Sequence, residues 1–304
     1  MTFIVGNCVD VLKTISNKFD FVYMDPPYNT GRDWFNFDDR FETPKHYIQD
    51  LIEPMLLSCK KVMNENATIA IHVEPKCSHW IKICAEQIFG ELTNEIVWVT
   101  GGNKNSSKKL QRNHDTILIY TQGKSKFNPQ FVPYSEDLVK RAKVCGLTNK
   151  KYTTSALINR QPNIVPRPNL RYEWNGHSAQ WWVSKEKMQK LHDDGKLEYS
   201  KSGIPRIKKY LSDMKGIQIK DTWNDISILQ GKEKLNYATQ KPVALLERLV
   251  KLYTDEGDFV LDPCAGSGTT GRACLNLNRN FTLIDINKQA SDVFCKSIMG
   301  ILPV

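Results

Sequence analysis

Asp262-Pro263-Cys264-Ala265-Gly266-Ser267-Gly268-Thr269-Thr270-Gly271 is the stretch on which the reading of this 304-residue chain turns. It follows the apolar run Phe259-Val260-Leu261 and precedes the helix-compatible Arg272-Ala273-Cys274-Leu275, so its glycines fall at a strand-to-helix turn. Glycine there permits φ > 0 and lets a ligand touch backbone. Nineteen positions after Gly266, Asp285 closes the next apolar run, Phe281-Thr282-Leu283-Ile284. A carboxylate at that place can accept hydrogen bonds from ribose hydroxyls. Neither G-x-x-x-x-G-K-[ST] nor G-x-G-x-x-G is matched, so a nucleoside cofactor without phosphates fits better than a nucleotide. Taken alone, the same residues also read as a plain tight turn followed by a surface Asp.

The flanking chain supplies the context. Phe19 to Met24, Thr68 to Val73, Glu95 to Val99 and Thr116 to Tyr120 read as strands. Tyr47 to Leu57 spaces its apolar residues as a helix does, with Pro54 kinking or restarting it. Pro242 to Tyr253 is a strongly amphipathic helix with Pro in its first turn. Strands separated by helices imply an α/β sheet. Between about 126 and 234 this rhythm is lost. That segment holds 21 Lys+Arg against 11 Asp+Glu, whereas the remainder holds 21 against 22. The expected organisation is therefore a split α/β domain, residues 1–125 and 235–304, flanking a basic segment 126–234. A basic block between near-neutral flanks suits a polyanionic partner, and equally a solvated basic surface. No internal repeat or low-complexity tract interrupts the chain.

Other classes fall away on composition. With 40% hydrophobic and 25% charged residues and a mean hydropathy of −0.44, the chain has material for a core and no apolar run of bilayer length. Met1 to Asn7 lacks the basic flank and apolar block of a signal peptide, so a cytoplasmic protein with no membrane partner is expected. Eight cysteines are scattered without a C-x-x-C pair and six histidines without H-x-x-x-H, so neither a metal site nor a disulfide framework is expected.

Asp25-Pro26-Pro27-Tyr28 closes the strand Phe21 to Met24. Pro27 lacks an N–H and biases Pro26 away from helix, so the turn is stiff and the Pro26 carbonyl has no local helical donor. Carboxylate, carbonyl and aromatic ring converge there, although the tetrapeptide taken alone also reads as an ordinary strand exit. The exocyclic amine of a nucleobase is a poor nucleophile because its lone pair is delocalised into the ring. Two acceptors, each taking one N–H, pull the nitrogen toward tetrahedral geometry and free that lone pair for a methyl sulfonium. Tyr28 would stack on the base, which must leave the duplex to be reached.

With both motifs present, the chain resembles the β-class DNA amino-methyltransferases, in which an Asp-Pro-Pro-Tyr block precedes the glycine turn and a target recognition domain lies between. The likeness spans nearly the whole chain. It includes Asp25 to Gly31, Asn113-His114-Asp115 leading into the strand to Tyr120, and the block Arg167-Pro168-Asn169-Leu170-Arg171-Tyr172. Beyond these it takes in Thr222 to Ile226, Tyr237-Ala238-Thr239-Gln240-Lys241-Pro242 and the Asp262 to Thr270 turn. The resemblance implies a Rossmann-like seven-stranded methyltransferase sheet in circularly permuted order, with the basic segment as an inserted target recognition domain. It implies Asp25, Pro26, Pro27 and Tyr28 at the base. It also implies S-adenosyl-L-methionine against Asp262, Pro263, Cys264, Gly266, Gly268 and Thr269, with Asp285 on the ribose, Asn7 near the cofactor's adenine and Asp25 shared with the cofactor. Thr239 and Lys241 are expected at the methionine end.

The implied partner is double-stranded DNA; a homodimer and a cognate restriction endonuclease are left open. Asn7 stands where the family usually has Asp, Cys264 where Phe is common and Ala238 where Pro is common. Adenine N6 is the expected target, with cytosine N4 as the alternative because it needs the same lone-pair chemistry. A catalytically silent DNA-binding protein of the same fold is the alternative from another class. His114 and Asp115 are candidates for lining the base pocket, with a satisfied structural role the favoured alternative for the lone histidine. Trp174, Trp181 and Trp182 fit a small-domain core or a DNA contact.

Overall fold

The computed structural model describes residues 1–299 apart from 32, 35, 36, 39, 102–106, 109, 160–167, 230 and 236. The chain divides into two compact units, Met1–Gln130 with Ile219–Val304, and Phe131–Gln218.

Eight strands of the first unit form one sheet. They are β1 (Thr2–Val5), β2 (Phe19–Met24), β3 (Met63–Val73), β4 (Asn94–Val99), β5 (His114–Thr121), β6 (Thr222–Trp223), β7 (Phe259–Asp262) and β8 (Asn280–Asp285). Their order across the sheet is β1-β8-β7-β2-β3-β5-β4-β6. The first five run parallel, and β5 is antiparallel to both β3 and β4. β2 is apolar almost throughout because both of its faces are covered, as a central parallel strand requires. Its side chains alternate between two cores. Val22 and Met24 join Ile69 and Ile71 with helices α1 (Cys8–Thr14), α2 (Glu53–Val62) and α3 (Pro75–Phe89). Phe21 and Tyr23 join Ala70 with α4 (Val243–Tyr253), α5 (Thr269–Asn276) and α6 (Lys288–Ile298).

Two local results refine the expectations. Pro54 lies in the first turn of α2, so the α-helix restarts there as expected. The preceding turn, Tyr47–Ile52, is wound as a π-helix in which the Glu53 N–H reaches the Ile48 carbonyl. Widening this turn gives the proline ring room where an α-helical carbonyl would clash. The sheet also carries one strand more than the seven expected. Thr222–Trp223, which sequence patterning leaves in the basic segment, runs parallel to Val97 and Trp98 at the sheet edge. Trp223 is buried in the same apolar cluster as Trp98, which explains why this short piece belongs with the sheet.

The second unit has a four-stranded antiparallel sheet in the order Leu197–Tyr199, Pro205–Tyr210, Lys151–Ala156, Lys143–Val144. A hairpin pairs Arg171–Trp174 with His177–Gln180. Asn175 and Gly176 connect it with φ of 48° and 78°, the positive angles that a two-residue turn matching strand twist needs. Ser184 caps the helix Lys185–Asp193. The core consists of Leu157, Trp181, Met188, Leu191 and Leu197. Trp181 is fully buried and donates its indole N–H to the Tyr172 carbonyl at 2.9 Å, Trp174 packs at the margin, and Trp182 is exposed. Arg167 of the block read by resemblance lies outside the described residues.

Removing the Trp181 side chain should empty the centre of this small core. Trp181→Ala is expected to destabilise the Phe131–Gln218 unit by about 3–5 kcal/mol, measured as the shift of its urea unfolding transition.

Candidate active site

Parallel neighbours place their C-terminal ends on one sheet edge, and the loops leaving those ends form a crevice. Here β1 leads into Gly6 and Asn7, β8 ends at Asp285, β7 ends at Asp262 and enters the glycine turn, and β2 leads into Asp25. All of these residues line one cavity of about 250 Å³. Pro26, Pro27, Tyr28, Thr239, Lys241, Pro263, Cys264, Gly266 and Thr269 line it as well.

Gly268 is the one residue of the expected set that is not among the lining residues. It sits at φ +74° ahead of α5, and a Cβ there would come within 2.3 Å of the Phe294 ring. Packing against α6 and backbone angle require this glycine. Gly266 differs: its φ is +52°, and a Cβ would meet the Tyr237 ring at 3.3 Å inside the cavity wall.

Asp285, Asp262 and Asp25 are each held differently. Asp285 accepts from the Gly266 N–H at 2.7 Å and the Asn287 N–H at 2.8 Å, so it pins the glycine turn to the end of β8. Burial raises its pKa. Asp262 accepts from the Cys264 N–H at 3.0 Å and the Thr270 hydroxyl at 2.5 Å, bracing the turn from below. Burial pushes Asp262 up to about 7; those two hydrogen bonds work against the rise, and the charges of Asp25 and Asp285 add to it. Asp25 accepts from the Tyr28 hydroxyl and pairs with the Lys241 ammonium. Lys241 also lies 3.3 Å from the Tyr28 oxygen and 5.4 Å from its ring centre. Burial, followed by the charge of Asp25, holds Tyr28 as the neutral phenol.

The Lys241 ammonium, expected at the methionine end of a cofactor, engages Asp25. Asn7 likewise has a local duty, since its side-chain oxygen accepts from the Val9 N–H at 2.9 Å and caps α1. The Lys241 segment is fixed from two sides. The Thr269 hydroxyl donates to the Lys241 carbonyl at 3.1 Å, and the buried Gln240 amide bridges Leu235 and Glu233. Burial keeps Cys264 a protonated thiol, which removes it as a nucleophile. Neither His114 nor Asp115 lines the cavity: His114 contacts Asn113, and Asp115 is buried against His72.

Sequence reasoning missed Tyr23, Asp50, Tyr237, Thr270 and Ile286 in the wall. Thr270, eight residues after Asp262 in the first turn of α5, was accessible from spacing. Asp50 was not; it lies in the π turn, whose winding the sequence pattern does not announce.

An open parallel-rich sheet that delivers a glycine turn and a stiff acidic turn to one crevice is the Rossmann-like methyltransferase fold. The chain belongs to the DNA methylase family, whose model matches residues 19–296. It is 26% identical to the Mod subunit of the type III restriction-modification enzyme StyLTI of Salmonella typhimurium, over 95% of this chain and 53% of that one. It is 30% identical to the type II methyltransferase M.EcaI of Enterobacter cloacae, over 88% and 62%, and 26% identical to the DNA adenine methyltransferase YhdJ of Escherichia coli, over 95% and 79%. The chain thus spans only about half to three-fifths of the length of the first two. Among solved structures, an M1.HpyAVI–SAM complex superposes with a TM-score of 0.56 at 18% identity over 98% of both chains, a likeness of fold.

Asp262 carries a pH signature. Its folded pKa lies above its unfolded value, so between pH about 4 and about 7 the native state binds the extra proton and stability falls as pH rises. Asp262→Asn keeps an acceptor for the Cys264 N–H and a donor for Thr270. Urea unfolding across that window should show a shallower downward slope for the variant than for the wild type.

Proposed function

We propose that the chain transfers a methyl group from S-adenosyl-L-methionine to the exocyclic N6 of an adenine swung out of double-stranded DNA. The observation that carries this reading is the sharing of one cavity by Asp25-Pro26-Pro27-Tyr28 and the Asp262 to Thr269 turn, which lie far apart in the chain. The adenine choice draws on the name of the YhdJ relative, and the cofactor choice on the resemblance and on the donor set in the cavity.

That donor set fits the cofactor. Lys241 is the one basic side chain among the described lining residues, too few for a di- or triphosphate but suited to a single carboxylate. Asp285, fixed by two backbone N–H groups, keeps lone pairs for a ribose diol. Gly266 exposes backbone beside the Tyr237 ring. When bound, S-adenosyl-L-methionine supplies a methyl group on a sulfonium, an electrophile that needs no metal.

The protein's contribution is to the nucleophile. Asp25 and the Pro26 carbonyl each accept one N–H of the target amine, localising its lone pair. The Tyr47 hydroxyl occupies the Pro27 carbonyl at 2.6 Å, whereas none of the described residues donates to that of Pro26. Lys241 orients the Asp25 carboxylate through their ion pair, and its third N–H can serve the methionine carboxylate. Tyr28, neutral and tied to Asp25, offers its ring to the flipped base.

Target reading falls to Phe131–Gln218. This unit holds 17 Lys+Arg against 8 Asp+Glu, which accounts for the entire net charge of +9. Lysine and arginine on such a unit hold phosphates and give salt-sensitive affinity. Two relatives are named for restriction-modification enzymes or type II methyltransferases, which makes a cognate restriction endonuclease the partner to seek.

Transfer of labelled methyl groups to DNA tests the reading. Asp25→Ala should lower turnover by about 10²–10³-fold or more while the cofactor Kd stays within about threefold. Asp285→Ala should chiefly weaken the cofactor, by about tenfold for a lost charge-assisted hydrogen bond. Near-normal turnover in Asp25→Ala would overturn the mechanism, and N4-methylcytosine in the product digest would replace adenine as the target.

A further inference from the structure

One buried titratable side chain beside the cavity has no part in the mechanism so far. His72 lies on β3 with none of its surface exposed. Its Nδ1 is 2.7 Å from the Tyr23 hydroxyl, and its Nε2 is 3.3 Å from a carboxylate oxygen of Asp115. A carboxylate only accepts, so Nε2 carries the hydrogen and Nδ1 receives the Tyr23 O–H; this tautomer satisfies both ring nitrogens. The chain of contacts continues outward. Arg112 lies 3.5 Å from the other Asp115 oxygen and 2.6 Å from Glu74. Burial works to raise the Asp115 pKa, but the hydrogen bond from His72 and the charges of Lys241 and Arg112 hold it below its ordinary value.

The imidazole is packed as tightly as it is bonded. Trp98 meets it edge-on at 5.7 Å, and Trp98 is itself fixed by its indole N–H to the Ile226 carbonyl at 2.9 Å. On the cavity side are two aromatic residues of the wall. The Tyr23 ring stands 6.1 Å away at 75°, and the Tyr28 ring 6.4 Å away at 38°. Tyr28 is thus held at its hydroxyl by Asp25 and backed at its ring by His72.

We infer that His72 is a positioning residue for the base-stacking wall, clamped by Tyr23 and Asp115 so that the Tyr28 ring is presented at a fixed attitude to a flipped nucleobase. The inference rests on the functional reading above and deepens it. A side chain that only filled space at position 72 would serve the core equally well in apolar form. The hydrogen bonds instead fix the plane of the imidazole, and a ring backed by a fixed plane cannot tilt away when a base arrives. Positioning errors of this kind fall on the chemical step, since a reacting nitrogen displaced by about 1 Å loses on the order of 10²-fold in rate.

Two variants separate positioning from folding. His72→Phe retains an aromatic ring and removes both hydrogen bonds, while Tyr23→Phe deletes one hydroxyl and leaves the packing intact. Measurements are methyl transfer, cofactor Kd by calorimetry, and fluorescence of DNA carrying 2-aminopurine at the target position. His72→Phe should lower kcat by about 10- to 100-fold and Tyr23→Phe by about 3- to 10-fold, with cofactor Kd within twofold and altered 2-aminopurine emission. In a Tyr28→Ala background, His72→Phe should cost less than twofold more, because the ring through which it acts is gone. An active wild type whose kcat is indifferent to both variants overturns the positioning role alone. Full additivity with Tyr28→Ala, or loss of cofactor binding in parallel with kcat for both variants, assigns His72 to the core and also overturns it. A wild type that binds cofactor yet methylates no DNA base overturns the functional reading, and this inference with it.

Discussion

The pairing of β7 beside β2 governs everything downstream. Val260 and Leu261 lie in parallel register with Phe21 and Val22, so the loops that leave the two strands emerge on the same sheet edge. Had the pairing been antiparallel, the acidic turn and the glycine turn would lie at opposite ends of the sheet. The long stretch of chain between the two strands weakens this contact only slowly, because loop-closure entropy grows with the logarithm of length. Part of that length is also neutralised locally. The chain leaves the first unit after Gln130 and returns at Ile219, whose N–H donates to the Gln130 carbonyl at 3.0 Å. An intervening unit whose ends meet in this way adds little to the cost of bringing the two strands together.

Four carboxylates line one cavity with a single ammonium, and for Asp25, Asp262 and Asp285 separate duties resolve what would otherwise be repulsion. Asp262 and Asp285 are turned toward the backbone and hold the glycine turn from two sides. Both have raised pKa values, mainly through burial. Asp25 alone has the lysine. The acceptor proposed to act on the substrate is therefore the one paired with a positive charge, while burial raises the pKa of Asp262, deepest in the fold.

The legible and illegible parts of the molecule divide along physical lines. Strand and helix existence followed from periodicity, because β2, β3 and α4 bury continuous faces. The glycine turn, Asp285 and the Asp-Pro-Pro-Tyr block were legible because each is a local geometry tied to particular residue types. Gly268 lies outside the cavity lining and against Phe294, and a glycine needed for packing and one needed for a ligand look alike in sequence; only the position of α6 brings out the packing role. Lys241 was placed by analogy, and its ion pair with Asp25, more than two hundred residues upstream, is a contact no local pattern announces. The strand Thr222–Trp223 has too few residues for a period, and its place comes from the burial of Trp223 beside Trp98. Asp50 reaches the wall through a π turn that no local pattern announces.

His72 shows why buried polar groups escape such reading and why they matter. In sequence it is one residue of an apolar strand, and a leucine there would satisfy the same pattern. Taking an imidazole, a phenol hydroxyl and a carboxylate out of water costs several kcal/mol unless each finds a partner. Here the imidazole and the phenol do, and Asp115 does through one oxygen, the other being buried without a hydrogen bond and met only by Arg112 at 3.5 Å, so the network adds little net stability. What an apolar replacement cannot reproduce is direction: a hydrogen-bonded ring has one orientation, a leucine several. The strand beside the acidic turn thus holds a group whose main return is geometric, next to the one aromatic ring whose attitude the proposed chemistry depends on.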